Sequence, residues 1–180
     1  MNLIIDPNPK DDQYSVNGAL AQRLANVLGG PTSVIRLYEA DQKYFNYEYN
    51  QEWMNAVLHA QRLVFPVPMW NMGIPAALKD FFDKITKRGQ LWDFDENKKY
   101  IGLLKEKSAF IIMTSGDVHT DDSPNDFVVP YLKAILGFFG IADVKAYRLG
   151  GVRNKNLAAD PAYMEEKTGD MLKTFALNRR

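Results

Sequence analysis

Residues 61–85 read QRLVFPVPMWNMGIPAALKDFFDKI, and this stretch decides the fold prediction. Residues 62–67 form an apolar run that is typical of a buried strand, and residues 75–87 have the apolar spacing of a helix. Pro75 suits the first turn of that helix, because the amide that proline lacks would have no intrahelical partner there. The segment PMWNMG at 68–73 therefore joins the end of a strand to the start of a helix.

The same alternation of strand and helix runs through the chain. Further apolar runs typical of strands occur at 3–5, 33–37, 107–113 and 143–149. Further helical patterns, with start or stop signals, occur at 15–28, 51–60, 123–139 and 161–176. Such alternation predicts a parallel sheet with helices on both faces, since right-handed crossovers place them there. We predict one α/β domain over residues 1–180, with five parallel strands in the order 2-1-3-4-5.

Composition and charge argue against several classes of protein. The 180 residues are enough for one domain with a substantial core. The 22 basic and 22 acidic residues cancel and are scattered, so nucleic-acid binding has little support. No apolar run approaches the roughly 20 residues that cross a bilayer, so no membrane insertion is expected. With 0 cysteines and no signal-peptide pattern at the N-terminus, we expect a cytoplasmic protein whose redox chemistry would need a bound cofactor.

Three predicted loops lie together at the carboxyl edge of the sheet. They follow the first, third and fourth strands, at residues 6–15, 68–73 and 114–123. In a sheet of order 2-1-3-4-5 the winding reverses between strands one and three, and open α/β sheets bind ligands in the crevice at that point. We therefore expect ligand-binding groups in these three loops.

The first and third loops offer polar groups. The first leads into a helix start, where free amides can hold a phosphate with help from Ser15 and Asn17. The alternative is that Ser15 only caps the helix. In the third loop, Thr114, Ser115 and Gly116 can bring backbone donors close to a ligand, because glycine permits the approach.

The second loop offers a different chemistry. Its residues Met69, Trp70, Asn71 and Met72 can hold a planar ring by apolar contact and hydrogen-bond its polar edge through the Asn71 amide. The alternative is that the tryptophan and methionines fill the core. The convergence of three loops on one crevice favours the ligand site.

Three segments resemble one known family. PMWNMGIPAALKDFFD at 68–83 is similar to the Pro-Met-Tyr-Asn-Phe signature of FMN-dependent NADH-azoreductases and the related NAD(P)H quinone oxidoreductases. YSVNGAL at 14–20 resembles the Ser-x-Asn stretch on the phosphate side of the flavin in that family. VVPYLKAILGFFGIADV at 128–144 resembles the family's segment before the last strand, so the resemblance spans almost the whole chain.

The resemblance implies a flavodoxin-like three-layer fold and a homodimer with two active sites at the subunit interface. Each site would hold FMN, with FAD less expected because the chain is short. It would pass a hydride from NADH or NADPH to a small-molecule acceptor, which would be a quinone, azo or nitro compound. The cofactor supplies the redox chemistry in such enzymes, so neither a nucleophile nor a metal is required.

The resemblance also implies a set of cofactor-binding residues. Met69 to Met72 would border the flavin ring, Ser15 and Asn17 its phosphate side, and Ser115 with Gly116 its pyrimidine edge. The full predicted set, loop by loop, is Asn8, Ser15, Val16 and Asn17, then Pro68, Met69, Trp70, Asn71 and Met72, then Thr114, Ser115, Gly116 and Asp117.

Two further groups are candidates for a role in the reaction. His119 is of the residue type best suited to proton transfer at neutral pH and could deliver a proton to a reduced quinone, or it is an exposed loop histidine. The tyrosines Tyr38, Tyr44, Tyr47 and Tyr49 either line the acceptor pocket from the partner subunit or pack along a long connection.

Two carboxylates depart from the family's pattern. Asp6 stands where relatives often have histidine or small hydroxyl residues, and Asp117 stands where they commonly have a second glycine. Like-charge repulsion there would weaken phosphate binding or lower the flavin's reduction potential. The alternative function is therefore an electron-transfer or regulatory flavodoxin-like module without turnover. Zero net charge and the lack of glycine in residues 1–17 favour the reductase, because electron-transfer flavodoxins tend to be acidic with a glycine-rich phosphate loop.

Overall fold

The computed structural model describes residues 1–9, 15–39, 48–152 and 161–177, so Tyr44 and Tyr47 lie outside the described residues. The strands are β1 (Asn2–Asp6), β2 (Thr32–Arg36), β3 (Arg62–Pro68), β4 (Trp92–Phe94), β5 (Tyr100–Gly102), β6 (Ser108–Thr114) and β7 (Asp143–Leu149). The helices are α1 (Val16–Val27), α2 (Gln51–His59), α3 (Ala76–Ile85), α4 (Val128–Phe138) and α5 (Pro161–Leu177).

The main sheet has five strands in the order β2-β1-β3-β6-β7, and all of its pairings are parallel. This confirms the predicted parallel α/β sheet. Counted along the whole chain the order is 2-1-3-6-7, because a two-stranded antiparallel sheet of β4 and β5 intervenes. Among the five strands of the main sheet the predicted order 2-1-3-4-5 holds.

Two prolines end the pairing between β1 and β3 early. The two strands pair only from Asn2↔Arg62 to Ile4↔Val64, whereas β3 pairs with β6 as far as Pro68↔Thr114. Successive backbone amides of a strand point to opposite neighbours, and the Met69 amide donates to Thr114 on the β6 side. Amides at positions 66 and 68 would therefore point towards β1, and proline has none to donate. The β1–β3 ladder opens at its carboxyl end, which creates the crevice.

Helices cover both faces of the sheet, and the alternation of side chains along each strand sends residues to both. On one face Leu3 and Ile5 join a large apolar cluster with residues of α2, α3 and α4. On the other face Ile4, Val64 and Ile112 join a second cluster with residues of α1 and α5. Three layers result, with the central strands buried on both faces.

The sequence did not indicate the β4–β5 hairpin. Its strands have three residues each and flank the charged segment 95–99, so no apolar period marks them. Aromatic rings hold the hairpin to α4: Trp92 and Tyr100 lie 5.4 and 5.8 Å from Phe138 between ring centroids. The Leu104 amide also donates to the Phe139 carbonyl at 2.8 Å.

The predicted start of α4 at Ser123 was wrong by about one turn. Ser123 closes a local turn instead, since its hydroxyl accepts from the Thr120 amide at 2.8 Å. The Asp126 carboxylate caps the helix by accepting from the Val128 and Val129 amides, both at 3.0 Å. Serine and aspartate can each cap a helix or close a turn, so the sequence does not tell which of Ser123 and Asp126 is the cap. Asp126 is buried at the helix start and takes that role.

We expect Gly102→Ala to destabilise the protein by about 1–3 kcal/mol, because a Cβ there would overpack against backbone. That Cβ would lie 2.0 Å from the Gly140 amide nitrogen and 2.2 Å from the Phe139 carbonyl carbon. Gly137→Ala is the control, since a Cβ at this α4 position meets nothing within 4 Å. It should raise stability by about 0.5–1 kcal/mol through helix propensity. Urea unfolding measures both changes, and equal midpoints for the two variants would contradict the close approach.

Candidate functional site

The strand order places the crevice at the carboxyl edge of the sheet, beyond the last β1–β3 pair, Ile4↔Val64. The β3–β6 register ends at Pro68↔Thr114, so the loops that follow these strands start side by side. The Met69 amide donates to the Thr114 carbonyl at 2.8 Å, which continues the ladder by one residue. The second and third predicted loops are therefore brought together, with the start of α1 opposite them.

The turn after β3 holds two residues in a strained conformation. Trp70 and Gly73 exchange both backbone hydrogen bonds at 3.0 Å, and between them Asn71 and Met72 have φ of 50° and 68°. Asparagine tolerates this left-handed region, whereas methionine does so at a cost that usually marks a functional site. The turn keeps Trp70 and Met72 40% and 51% exposed, while Met69 packs partly into the core. Apolar surface is thus presented at the crevice.

Tyr38 was not foreseen as a support for this turn. Its ring packs against Trp70 at 6.4 Å between centroids, tilted by 53°. The sequence predicted no specific contact for Tyr38, one of four tyrosines in this region, because a contact between the loops after β2 and β3 has no sequence signal. The indole is held from one side and exposed on the other.

Asn17 on α1 is a buried amide whose hydrogen bonding is incomplete. The residue is 3% exposed, and its Nδ2 donates to the Thr114 hydroxyl at 2.6 Å. Its Oδ1 is buried and has no hydrogen-bond partner among the described residues. Turning the amide by 180° would pair Oδ1 with the hydroxyl and leave Nδ2 unpaired instead. In either orientation one buried polar atom is left for a ligand.

The first loop is organised by a carboxylate. Asp6 Oδ1 accepts from both the backbone amide, at 3.1 Å, and the side-chain amide of Asn8. Asn8 Oδ1 in turn accepts from the Ser15 hydroxyl at 3.4 Å, and Ser15 Oγ accepts from the Gly18 amide at 3.1 Å as the cap of α1. Ser15 thus caps the helix, which was the alternative to ligand binding, and its predicted cofactor-binding role stays a prediction. The Ser15 hydroxyl therefore both donates a hydrogen bond, to Asn8, and accepts one, from Gly18.

Asp6 is associated with a cavity next to α1. It lines a cavity of about 140 Å³ on the β2 side of α1, together with Asn8, Ser15, Arg36 and Glu39. The Trp70 turn does not line this cavity. Burial raises the pKa of the Asp6 carboxyl above its ordinary value, although the hydrogen bonds from Asn8 and the nearby Arg36 lower it in part.

Hydrogen bonds of Ser115 hold the third loop in place. The Ser115 amide donates to Leu149, its carbonyl accepts from Val152, and its hydroxyl donates to the Asp117 carbonyl at 2.7 Å. Gly150 lies against this loop, where a Cβ would meet the Asp117 carbonyl oxygen at 2.6 Å. Ser115 therefore shapes the loop, and His119 lies farther along it, partly buried.

Hydrogen bonds join Asn17, Thr114 and Met69 from the three predicted segments, whereas Asn8 and Ser15 line the cavity beside Asp6, and the binding roles of all these residues stay predictions. Pro68 and Thr114 are buried, Asn71 and Asp117 are exposed, and Val16 is buried at the start of α1. No helix in the described part of the chain is long and apolar enough to cross a membrane. Within the same residues no three carboxylate or histidine side chains are grouped as a metal site would need.

Comparison with known proteins shows the family. A family model described as a flavodoxin-like fold matches residues 2–173. The chain belongs to this family of flavodoxin-like proteins, which confirms the resemblance found in its sequence.

Two relatives have similar sequences over part of their length. An FMN-dependent NADH:quinone oxidoreductase of Beijerinckia indica is 34% identical over 124 residues, covering 68% of this chain and 61% of that protein. The enzyme of the same name from Vibrio parahaemolyticus is 43% identical over 86 residues, covering 48% of this chain and 43% of that protein. The chain thus spans less than two thirds of the length of these relatives in the aligned segments.

Solved structures share the fold over nearly their whole length. An FMN-dependent NADH-azoreductase from Bacillus anthracis, solved in complex with FMN, has a TM-score of 0.75 at 24% identity and covers 98% of this chain and 97% of its own. An NAD(P)H:quinone oxidoreductase from Methanothermobacter marburgensis has a TM-score of 0.71 at 19% identity, covering 97% and 96%. At these identities the likeness shows the fold alone.

We expect Asp6→Asn to stabilise the protein at neutral pH. Burial raises the folded-state pKa of Asp6 above the ordinary 3.8, so the folded state binds the proton more tightly than the unfolded state does. The stability that protonated Asp6 contributes is present below the unfolded-state pKa and is lost as pH rises through the folded-state value. Asparagine cannot ionise and can still accept from Asn8 through its side-chain oxygen.

Urea unfolding of parent and Asp6→Asn between pH 3 and pH 7 measures this effect. The advantage of the variant should shrink as pH falls towards 3.8. An advantage of the same size at every pH would contradict the raised pKa.

Proposed function

We propose that the protein is an FMN-dependent oxidoreductase that transfers a hydride from NADH to a quinone or azo compound. One observation carries the proposal: the β1–β3 crevice places an incompletely bonded buried amide, Asn17, opposite a strained turn that exposes Trp70 and Met72. A ligand with a hydrogen-bonding chain and a flat apolar ring matches both features. The names of the quinone oxidoreductase relatives, and the FMN bound to the azoreductase neighbour, support this choice of ligand and activity.

The residues present fit FMN. Asn17 would bond the polar chain of the cofactor, and the Val16 and Asn17 amides at the start of α1 donate to no other described group, so they suit its phosphate. Trp70, Asn71 and Met72 would border the ring. Bound FMN would supply the hydride chemistry, accepting from the nicotinamide and passing to the acceptor. The protein's part is to hold both substrates in turn against an open ring face and to keep water away.

The finer features follow from the same proposal. His119 would deliver a proton to the reduced acceptor, and NADPH or a nitro acceptor would use the same site. A second copy of the chain would complete the site as a homodimer, since Phe127 and Val118 leave apolar side chains 59% and 79% exposed beside the crevice. The absence of cysteine supports a cytoplasmic setting.

The first experiment is reduction of bound FMN in the absence of oxygen. The purified protein is saturated with FMN, excess FMN is removed, and NADH or NADPH is added while the visible flavin band is followed. Bleaching that a quinone or azo dye reverses is the expected result. Retained flavin that no nicotinamide bleaches would overturn the reductase and leave an electron-transfer or regulatory module. A protein that retains no flavin would overturn the cofactor as well.

We expect Asn17→Ala to weaken FMN binding about tenfold, because the net value of one hydrogen bond is about 0.5–1.5 kcal/mol. Thr114→Val removes the same Asn17–Thr114 bond but leaves the amide in place, so it separates ligand contact from side-chain support. Asn26→Ala, on an exposed position of the same helix, is the control and should bind as the parent does. Fluorescence titration of FMN measures all four proteins. Equal affinity of Asn17→Ala and Asn26→Ala would remove Asn17 from the site.

A further inference from the structure

Arg148 near the end of β7 joins three parts of the structure through one guanidinium. Its Nε donates to Asp126 Oδ2 at 2.7 Å, and a terminal nitrogen donates to Asp121 Oδ1 at 2.6 Å. The side chains of Arg148 and Asp126 are 11% and 2% exposed, whereas that of Asp121 is 82% exposed. One arm of the guanidinium is thus buried and the other lies at the surface.

The buried arm reaches the Trp70 turn in two steps. Asp126 uses its other oxygen, Oδ1, to accept from the Val128 and Val129 amides, which fixes the first turn of α4. The Phe127 amide, between the cap and the helix, donates to the Met72 carbonyl at 3.1 Å. Met72 is one of the two strained residues of the turn. The position of the turn therefore depends on the start of α4, and the start of α4 depends on Arg148.

The exposed arm reaches the third loop. Asp121 lies in the segment that continues from Ser115 and Gly116, and Arg148 ties it to β7. Burial disfavours the charged guanidinium, but the hydrogen bonds and charges of Asp126 and Asp121 outweigh this and raise the pKa of Arg148. The guanidinium therefore stays charged.

We propose that Arg148 is a positioning residue that, through Asp126 and the start of α4, fixes the Trp70 turn, and so the fit of the planar ligand beside that turn. The part about ligand fit rests on the proposed function. The Arg148 guanidinium is taken up by two carboxylates and acts on the ligand only through these loops. Removing it would leave the buried Asp126 Oδ2 without its arginine partner while Oδ1 keeps two amides, and the α4 start and the turn would shift together.

The test compares Arg148→Met with three other variants. Arg148→Lys offers a single ammonium that can keep the Asp126 arm but not both arms, and Asp121→Asn weakens only the exposed arm. Arg23→Met breaks a different arginine–carboxylate pair, Arg23–Glu165 at 2.5 Å, which links α1 to α5 away from these loops. This control replaces an arginine by methionine and breaks an ion pair, as Arg148→Met does, but outside the loops of the site.

Two measurements are made on each variant. Hydrogen exchange without ligand should speed up at least about tenfold at the Phe127 and Gly73 amides in Arg148→Met, because a broken buried pair loosens what it held. FMN titration should show affinity lower by at least about tenfold in Arg148→Met, partly rescued in Arg148→Lys. Asp121→Asn and Arg23→Met should each stay within about twofold of the parent in FMN affinity, as expected for exposed pairs.

The outcomes separate this proposal from the proposed function. Unchanged exchange at Phe127 and Gly73 in Arg148→Met overturns the positioning role, whether or not FMN binds. Faster exchange throughout the chain, with no excess at the Phe127 and Gly73 amides, also overturns it, because Arg148 would then be structural only. Faster exchange at only these amides, in a protein that never binds FMN, supports the dependence of the Trp70 turn on Arg148. It overturns the proposed cofactor instead.

Discussion

The pairing of β1 with β3 stops after Ile4↔Val64, and the site depends on that early end. Pro66 and Pro68 have no amide to offer β1, whereas the alternate residues of β3 continue to pair with β6. The sheet is therefore firm on the β6 side of the site and open on the β1 side. A crevice at the reversal of strand order is general to such sheets, and here two missing donors end the β1–β3 ladder before that edge.

The loops around the crevice are held mainly by backbone hydrogen bonds, so their side chains are available for other roles. The Trp70–Gly73 pair, the Met69–Thr114 bond and the Ser115–Leu149 bond are all between main chains. Two side chains also take part: Ser15 accepts from the Gly18 amide, and Ser115 donates to the Asp117 carbonyl. Asn17 supports Thr114 and still has a buried oxygen without a partner among the described residues.

Charge is used sparingly near the site. Asp6 and Asp117 are the two carboxylates expected to disfavour a flavin, and they lie in different places. Asp6 is on the β2 side of α1 and accepts hydrogen bonds from Asn8, whereas Asp117 is exposed on the third loop. The buried Asp126 is matched by Arg148 and two amides, so its charge costs little there.

The sequence by itself determined the alternation of strands and helices, their order in the sheet and the loops that meet at the carboxyl edge. Those features follow from the apolar period along each segment and from chain connectivity, which are local or nearly local properties. The PMWNMG segment also indicated the family resemblance from the sequence alone.

Only the tertiary structure decided which polar side chains are engaged and which are left for a ligand. The start of α4 at Val128 rather than Ser123, the β4–β5 hairpin, the Tyr38–Trp70 contact and the Arg148–Asp126 pair each join residues distant in sequence or choose between similar local signals. Such choices are made by burial, because a polar group removed from water must find a partner wherever the fold supplies one.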